Sequence, residues 1–224
     1  MKLAIINGSP RYKKSNSNLL INQFLSGYNK IIPEEVPIHY LANQQLRNEA
    51  ADAFLKSDEI ILIFPLYTDC MPGIVKEFIE SIALLEKNII QGKKIGFIVQ
   101  SGFPEAIHSV AVEHYLEKLA KRLQCEYLGT VIKGGVEGIQ FMPPLMTRKL
   151  FLQFNKLGEY FAKNSAFSPQ IINKLRKPYK MPPIQRALFS MMAKTGVTNF
   201  YWNNNLKKNG AFEKRFDKPY QTEI

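Results

Sequence analysis

Two cysteines in 224 residues are too few for a disulfide framework, and Cys70 and Cys125 share no CxxC spacing. Together with three scattered histidines (His39, His108, His114) they write no zinc site. No apolar run reaches the roughly 18 residues of a membrane-spanning helix, so membrane insertion is not expected. The apolar stretch Leu3 to Ile6 is too short for the hydrophobic region of a secretory signal, which makes the cytoplasm the expected compartment. A structural disulfide is not expected there. The chain also lacks GxxxxGK[ST] and GxGxxG, which excludes a nucleoside-triphosphate P-loop and a dinucleotide fingerprint. It has no internal repeat and no low-complexity segment.

Hydrophobic residues make up 46% and charged residues 22%, ordinary proportions for a globular chain with a sizeable core. The net charge of +11 is unevenly spread: residues 165–224 hold eleven Lys/Arg against three Asp/Glu and carry +8 of it. A basic tail suits nucleic acid, an anionic partner, a phosphate-bearing ligand or plain solvation. Without a zinc-finger pattern, a helix-turn-helix signal or an unbroken basic run, nucleic-acid binding is not favoured.

Periodicity predicts strands at Lys2–Ile6, Val36–Leu41, Glu59–Phe64, Lys94–Val99 and Glu126–Ile132. The third and fourth (EIILIF, KIGFIV) are almost continuously apolar, as parallel strands buried on both faces are. Between and after them, helical spacing predicts helices at Asn16–Tyr28, Leu46–Lys56, Pro72–Leu85, Glu105–Leu123 and Pro144–Lys163. Strict alternation argues for an α/β fold with a doubly wound parallel sheet of five strands in the order 2-1-3-4-5. Residues 1–164 are read as this domain. Residues 165–224 are rich in proline and aromatics, carry short helices at Pro169–Arg176 and Ile184–Thr195, and are too apolar (Leu188, Met191, Met192, Trp202) for a free tail. They are read as a helical, basic extension packed on the domain or on a partner chain.

In such a sheet, ligands bind outside the carboxyl ends of the strands. After the first strand, Asn7-Gly8-Ser9-Pro10-Arg11 runs into Ser15-Asn16-Ser17. Hydroxyls, the cation of Arg11 and the N–H groups opening a helix form a cradle for a phosphate; a polar turn with an N-cap has the same composition. After the third strand, Pro65-Leu66-Tyr67 leaves a ring and free backbone groups at the edge, suited to a planar heterocycle or to simple packing. After the fourth, Ser101-Gly102-Phe103 combines small residues with a ring, or makes a tight turn. Gly134-Gly135-Val136-Glu137-Gly138 follows the fifth as a mobile or closely approached loop, with Glu137 either facing a substrate or solvated. Cys70 could be a redox thiol, but it has no basic neighbour in sequence and reads rather as a small buried thiol.

Gly8-Ser9-Pro10-Arg11 with Ser15-Asn16-Ser17, followed by Pro65-Leu66-Tyr67-x-Asp69-x-x-Pro72-Gly73-x-x-Lys76-x-Phe78-Ile79-Glu80, resembles the flavodoxin-like NAD(P)H-dependent FMN reductases and quinone oxidoreductases over about residues 1–163. The resemblance implies an FMN phosphate held by Ser9, Arg11, Asn16 and Ser17. It implies ring contacts from Pro65, Leu66 and Tyr67 on one side and Ser101, Gly102 and Phe103 on the other. The family's usual Gly-Asn-Thr stands here as Ser15-Asn16-Ser17, which would strain residue 15 if its φ had to be positive. The implied activity passes a hydride from NADH or NADPH through FMN to a quinone, flavin or other small acceptor, with no obligatory acid or base residue and commonly in a homodimer. The competing reading is a non-catalytic flavodoxin-like electron carrier or FMN-binding module, against which the basic charge speaks. A flavodoxin-like chain that has lost its flavin is a third.

Overall fold

The computed structural model describes residues 2–85, 90–196 and 199–218. They form two compact units, Met1–Lys180 and Met181–Ile224. In the first, β1 (Leu3–Asn7), β2 (Ile38–Tyr40), β3 (Glu59–Pro65), β4 (Lys94–Gln100) and β5 (Glu126–Lys133) make one parallel sheet in the order β2-β1-β3-β4-β5. The helices are α1 (Asn16–Tyr28), α2 (Gln44–Leu55), α3 (Gly73–Ala83), α4 (Val110–Arg122), α5 (Pro144–Asn164) and α6 (Pro169–Leu175).

The strands are apolar throughout because each serves two cores. Ala4, Ile6, Ile60, Leu62 and Phe64 pack with α2, α3 and α4, whereas Leu3, Ile5, Ile61 and Ile63 pack with α1, α5 and α6. That is the period-2 alternation of a strand with both faces covered. Each fully buried side chain of this size contributes roughly 1.5–3 kcal/mol. On the second face, α1 and α5 cross with their backbones in contact. A Cβ at Gly27 would collide with the Asn155 carbonyl, and one at Gly158 with that of Phe24.

Three local features differ from the periodicity. β2 is only three residues long, because Pro37 supplies no N–H to the ladder just before it. A 3-10 turn (Tyr12–Lys14) sits inside the loop after β1. The expected helix from Glu105 opens as a 3-10 turn (Ala106–Ser109) before α4 begins, because the N–H groups of Ala106 and Ile107 donate to the carbonyls of Pro178 and Tyr179 (3.0 and 3.2 Å). Phe167 and Leu175 are buried in the core beneath β5, so the chain through Lys180 belongs to the first unit.

The second unit holds α7 (Pro183–Lys194) and α8 (Phe200–Lys208). Ile184, Leu188, Met191 and Met192 recur at helical spacing along α7. After α8 the Phe212 ring is flanked by the Arg215 guanidinium at 3.9 Å and the Lys207 ammonium at 4.9 Å. Among the described residues no helix is long and apolar enough to cross a membrane.

Candidate functional site

β1 ends on an amide. Asn7 is fully buried, and its side chain organises the loop that follows. Its Oδ1 accepts from the Ser9 N–H (3.0 Å), and its Nδ2 donates to Ser15 Oγ (3.3 Å) and Asn18 Oδ1 (3.5 Å). Ser15 caps α1: its Oγ accepts from the Asn18 N–H (3.1 Å) and donates to the Tyr12 carbonyl (2.7 Å). The Tyr40 hydroxyl donates to Asn18 Oδ1 (2.9 Å), and its ring lies 4.4 Å from that of Tyr12. Burial, and then Tyr12, push the Tyr40 phenol above its usual range, so its proton stays in place as a donor. Ser15 is extended at φ −99°, as a cap requires, and serine stands there without strain. The positive φ in this loop falls on Tyr12, at 53°.

Past the cap, α1 presents the N–H groups of Asn16 and Ser17 at its positive end. Asn16 is buried, and its Oδ1 has no hydrogen-bond partner among the described residues. A polar atom stranded in this way costs about 1–3 kcal/mol unless something else satisfies it. Ser17 is buried behind it, with its Oγ accepting from Gln100 Nε2 at 3.4 Å. Arg11 projects from the loop and pairs with Glu137, Nη1 to Oε1 3.5 Å, from the loop after β5.

The other two loops are held by backbone bonds. Leu66 donates its N–H to the Gln100 carbonyl (2.7 Å), tying the end of β3 to that of β4. Tyr67 and Cys70 exchange N–H to carbonyl bonds of 2.9 and 3.2 Å around Thr68, whose φ is 58°. The loop after β4 is strapped to the next one. Gly135 donates to the Phe103 carbonyl (2.8 Å) and Val136 to that of Ser101 (2.9 Å), and the approach is so close that a Cβ at Gly134 would collide with the Phe103 carbonyl. Of the glycines after β5, Gly134 therefore serves close approach, while Gly135 and Gly138 take positive φ (70° and 78°). Tyr67 and Phe103 stand exposed, at 45% and 42%, with the Phe103 ring 4.7 Å from the His108 imidazole.

These loops enclose a notch of about 100 Å³ at the carboxyl edge of the sheet. Ser9, Arg11 and Asn16 line it from the first loop, Pro65, Leu66 and Tyr67 from the second, and Ser101 and Gly102 from the third. Ser17 and Phe103 lie outside that lining, Ser17 behind it against Gln100 and Phe103 beside His108. Gln100 and Glu137 complete the wall. Sequence reasoning missed two residues here, the buried amides of Asn7 and Gln100. The signal available was an amide at the last position of an otherwise apolar strand. A larger groove of about 730 Å³ between α1 and α5 contains none of the expected site residues.

Residues 1–146 match the family described as having a flavodoxin-like fold. No match is found among curated proteins. Solved structures of similar fold include an FMN-dependent NADH-azoreductase from Bacillus anthracis in complex with FMN (15% identical, 72% of this chain against 99% of that one, TM-score 0.55). Another is an NADPH-quinone reductase from P. pentosaceus (18%, 70% against 96%, TM-score 0.50). A third is an NADH:FMN oxidoreductase in its apo form (17%, 79% against 96%, TM-score 0.54). At these identities the likeness is one of fold.

Proposed function

The chain belongs to the flavodoxin-like fold family, and from that premise we propose that it is an NAD(P)H-dependent, FMN-containing oxidoreductase acting on a small acceptor such as a quinone. The observation that carries this reading is the stranded Asn16 amide at the open end of α1, facing a notch built from three βα loops. A side-chain amide has an acceptor and two donors, and FMN offers hydroxyl donors on its ribityl chain and acceptors on its phosphate. The Ser9 hydroxyl and the N–H groups of Asn16 and Ser17 hold the phosphate end, with Arg11 supplying positive charge, and the stranded Asn16 Oδ1 accepts from a ribityl hydroxyl. Ser17 serves through its backbone, since its side chain is fully buried and lies outside the notch lining. Pro65, Leu66 and Tyr67 on one side and Ser101, Gly102 and Phe103 on the other orient the ring and shield it from water. FMN, when bound, supplies the chemistry of taking a hydride from a nicotinamide and passing the electrons on.

The solved neighbours named as an FMN-dependent NADH-azoreductase, an NADH:FMN oxidoreductase and an NADPH-quinone reductase support this class, and the basic charge speaks against a passive carrier. The family resemblance extends the proposal to a cytoplasmic homodimer in which the extension, from Met181 onward, packs on the domain or on the partner. Because Phe167 and Leu175 are core residues, the truncation that tests the extension is made after Lys180, read by FMN affinity and oligomeric state.

The deciding experiment is the absorbance spectrum of the purified protein supplied with FMN. Flavin bands bleached by NADH or NADPH, with steady oxidation of the nicotinamide once a quinone is added, support the enzyme. Bands that bleach only with dithionite, with no turnover, point to a carrier. A colourless protein that leaves added FMN free overturns the proposal.

A further inference from the structure

A second cavity, of about 580 Å³, opens in the first unit between the end of β5, α5 and α6, one strand over from the notch, where the Lys133 carbonyl accepts from the Ser101 N–H (3.0 Å). None of its lining residues lines the notch. Four lysines converge on it: Lys133 from the end of β5, Lys149 from α5, Lys174 from α6 and Lys177 just beyond. No Asp or Glu lines it, and among the described residues none of the four lysines forms an ion pair. Other lysines of the same unit do find carboxylates, as Lys30 does with Glu159 and Lys121 with Glu117.

Lys133 is the most telling of the four. It is half-buried, its ammonium reaches only the Lys177 carbonyl at a long 3.4 Å, and burial pushes its pKa down. A cation withdrawn from water without a counter-charge costs stability that a bound anion would return. The floor beneath is apolar, from Leu150 and Leu175, with the exposed Met146 beside them, and the cavity has the volume of a small-molecule site. Lysines at the end of α6 would complement the helix dipole without any cavity.

We propose that this cavity is a binding site for a small phosphate-bearing anion, of the diphosphate or nucleoside-diphosphate class, distinct from the notch. Lysines bind phosphate as point charges, and four of them answer the charge of a diphosphate. The apolar floor gives a nucleoside somewhere to rest. A concave pocket of this size takes a small molecule rather than a nucleic-acid backbone, which needs an extended positive track.

The test is calorimetric titration of the full-length protein, saturated with FMN, with sodium pyrophosphate and with ADP at low ionic strength. One pyrophosphate per chain is expected. Lys149→Met with Lys174→Met, both exposed positions with no fold to disturb, weakens it at least about tenfold. Lys163→Met, at an exposed lysine outside the cavity and the notch, leaves it unchanged. ADP binding more tightly than pyrophosphate assigns a nucleotide, and equal affinity assigns the diphosphate alone; both support the site. No saturable binding, or binding that the lysine pair leaves intact, overturns it.

Discussion

The loop after β1 and the loops after β3 and β4 meet at one notch but are built on different principles. The first is locked by side chains: Asn7, Ser15, Asn18 and Tyr40 bond to one another or to nearby backbone, and most are buried. The other two are held by backbone bonds, and their aromatic tips Tyr67 and Phe103 stand in solvent. A preorganised loop loses little freedom when it receives a ligand of fixed shape, such as a phosphate. Exposed rings on backbone-fixed turns can adjust to whatever planar group lies between them. On this account the first loop supplies cofactor affinity and the other two set the choice of acceptor.

The contrast can be broken most severely at Asn7. Asn7→Ala deletes three hydrogen bonds at a fully buried position and is expected to cost about 3 kcal/mol in denaturant unfolding. Tyr67→Ala, on the ring side, is expected to stay within about 1 kcal/mol of the parent in the same measurement. Equal losses at the two positions would dissolve the distinction.

The two cysteines sharpen it next. Contrary to the sequence expectation of a buried thiol, Cys70 sits exposed, because it closes the backbone-bonded turn with Tyr67, whereas Cys125 is buried and its thiol is pushed up to about 11 by burial, with the Lys93 charge pulling the other way. At neutral pH an alkylating reagent should modify Cys70 at least about a hundredfold faster than Cys125, read by mass spectrometry. The same shift makes Cys125 a liability at high pH. The unfolded thiol ionises near the ordinary value of 9.0 while the folded one resists to about 11, so stability present below pH 9 falls as pH rises through that window. Cys125→Ala should flatten that fall.

Asn16 and Phe103 give smaller effects of opposite character. Asn16→Ala removes the stranded amide, so the FMN-free protein should keep its stability or gain up to about 1 kcal/mol while FMN binding weakens about tenfold. A purely structural Asn16 would lose stability and leave FMN alone. Phe103→Ala should weaken FMN only about threefold and act mainly on the KM of the quinone acceptor.

Much of this was legible in the sequence. Strands such as EIILIF announce burial on both faces, and their alternation with helices leaves few topologies, so the sheet order was readable before any coordinates. The motif residues at three strand ends could be placed at one edge for the same reason. The roles of Asn7 and Gln100 were not legible, because their partners, Ser15, Asn18 and Ser17, come from other elements and a lone amide carries no period. Ser15 read as an awkward substitute for glycine, yet it is the N-cap of α1, and the left-handed residue is Tyr12. The Lys133 cavity was equally hidden, since its four lysines span 45 residues and meet only once α6 packs beside β5.

The central claim is that this notch holds FMN by the loop after β1. The most direct test titrates FMN into the full-length protein while following flavin fluorescence, in parallel with Asn16→Ala. Saturable quenching at one FMN per chain, weakened about tenfold in the variant, is expected. Fluorescence that stays at the level of free FMN, or identical curves for the two proteins, would contradict it.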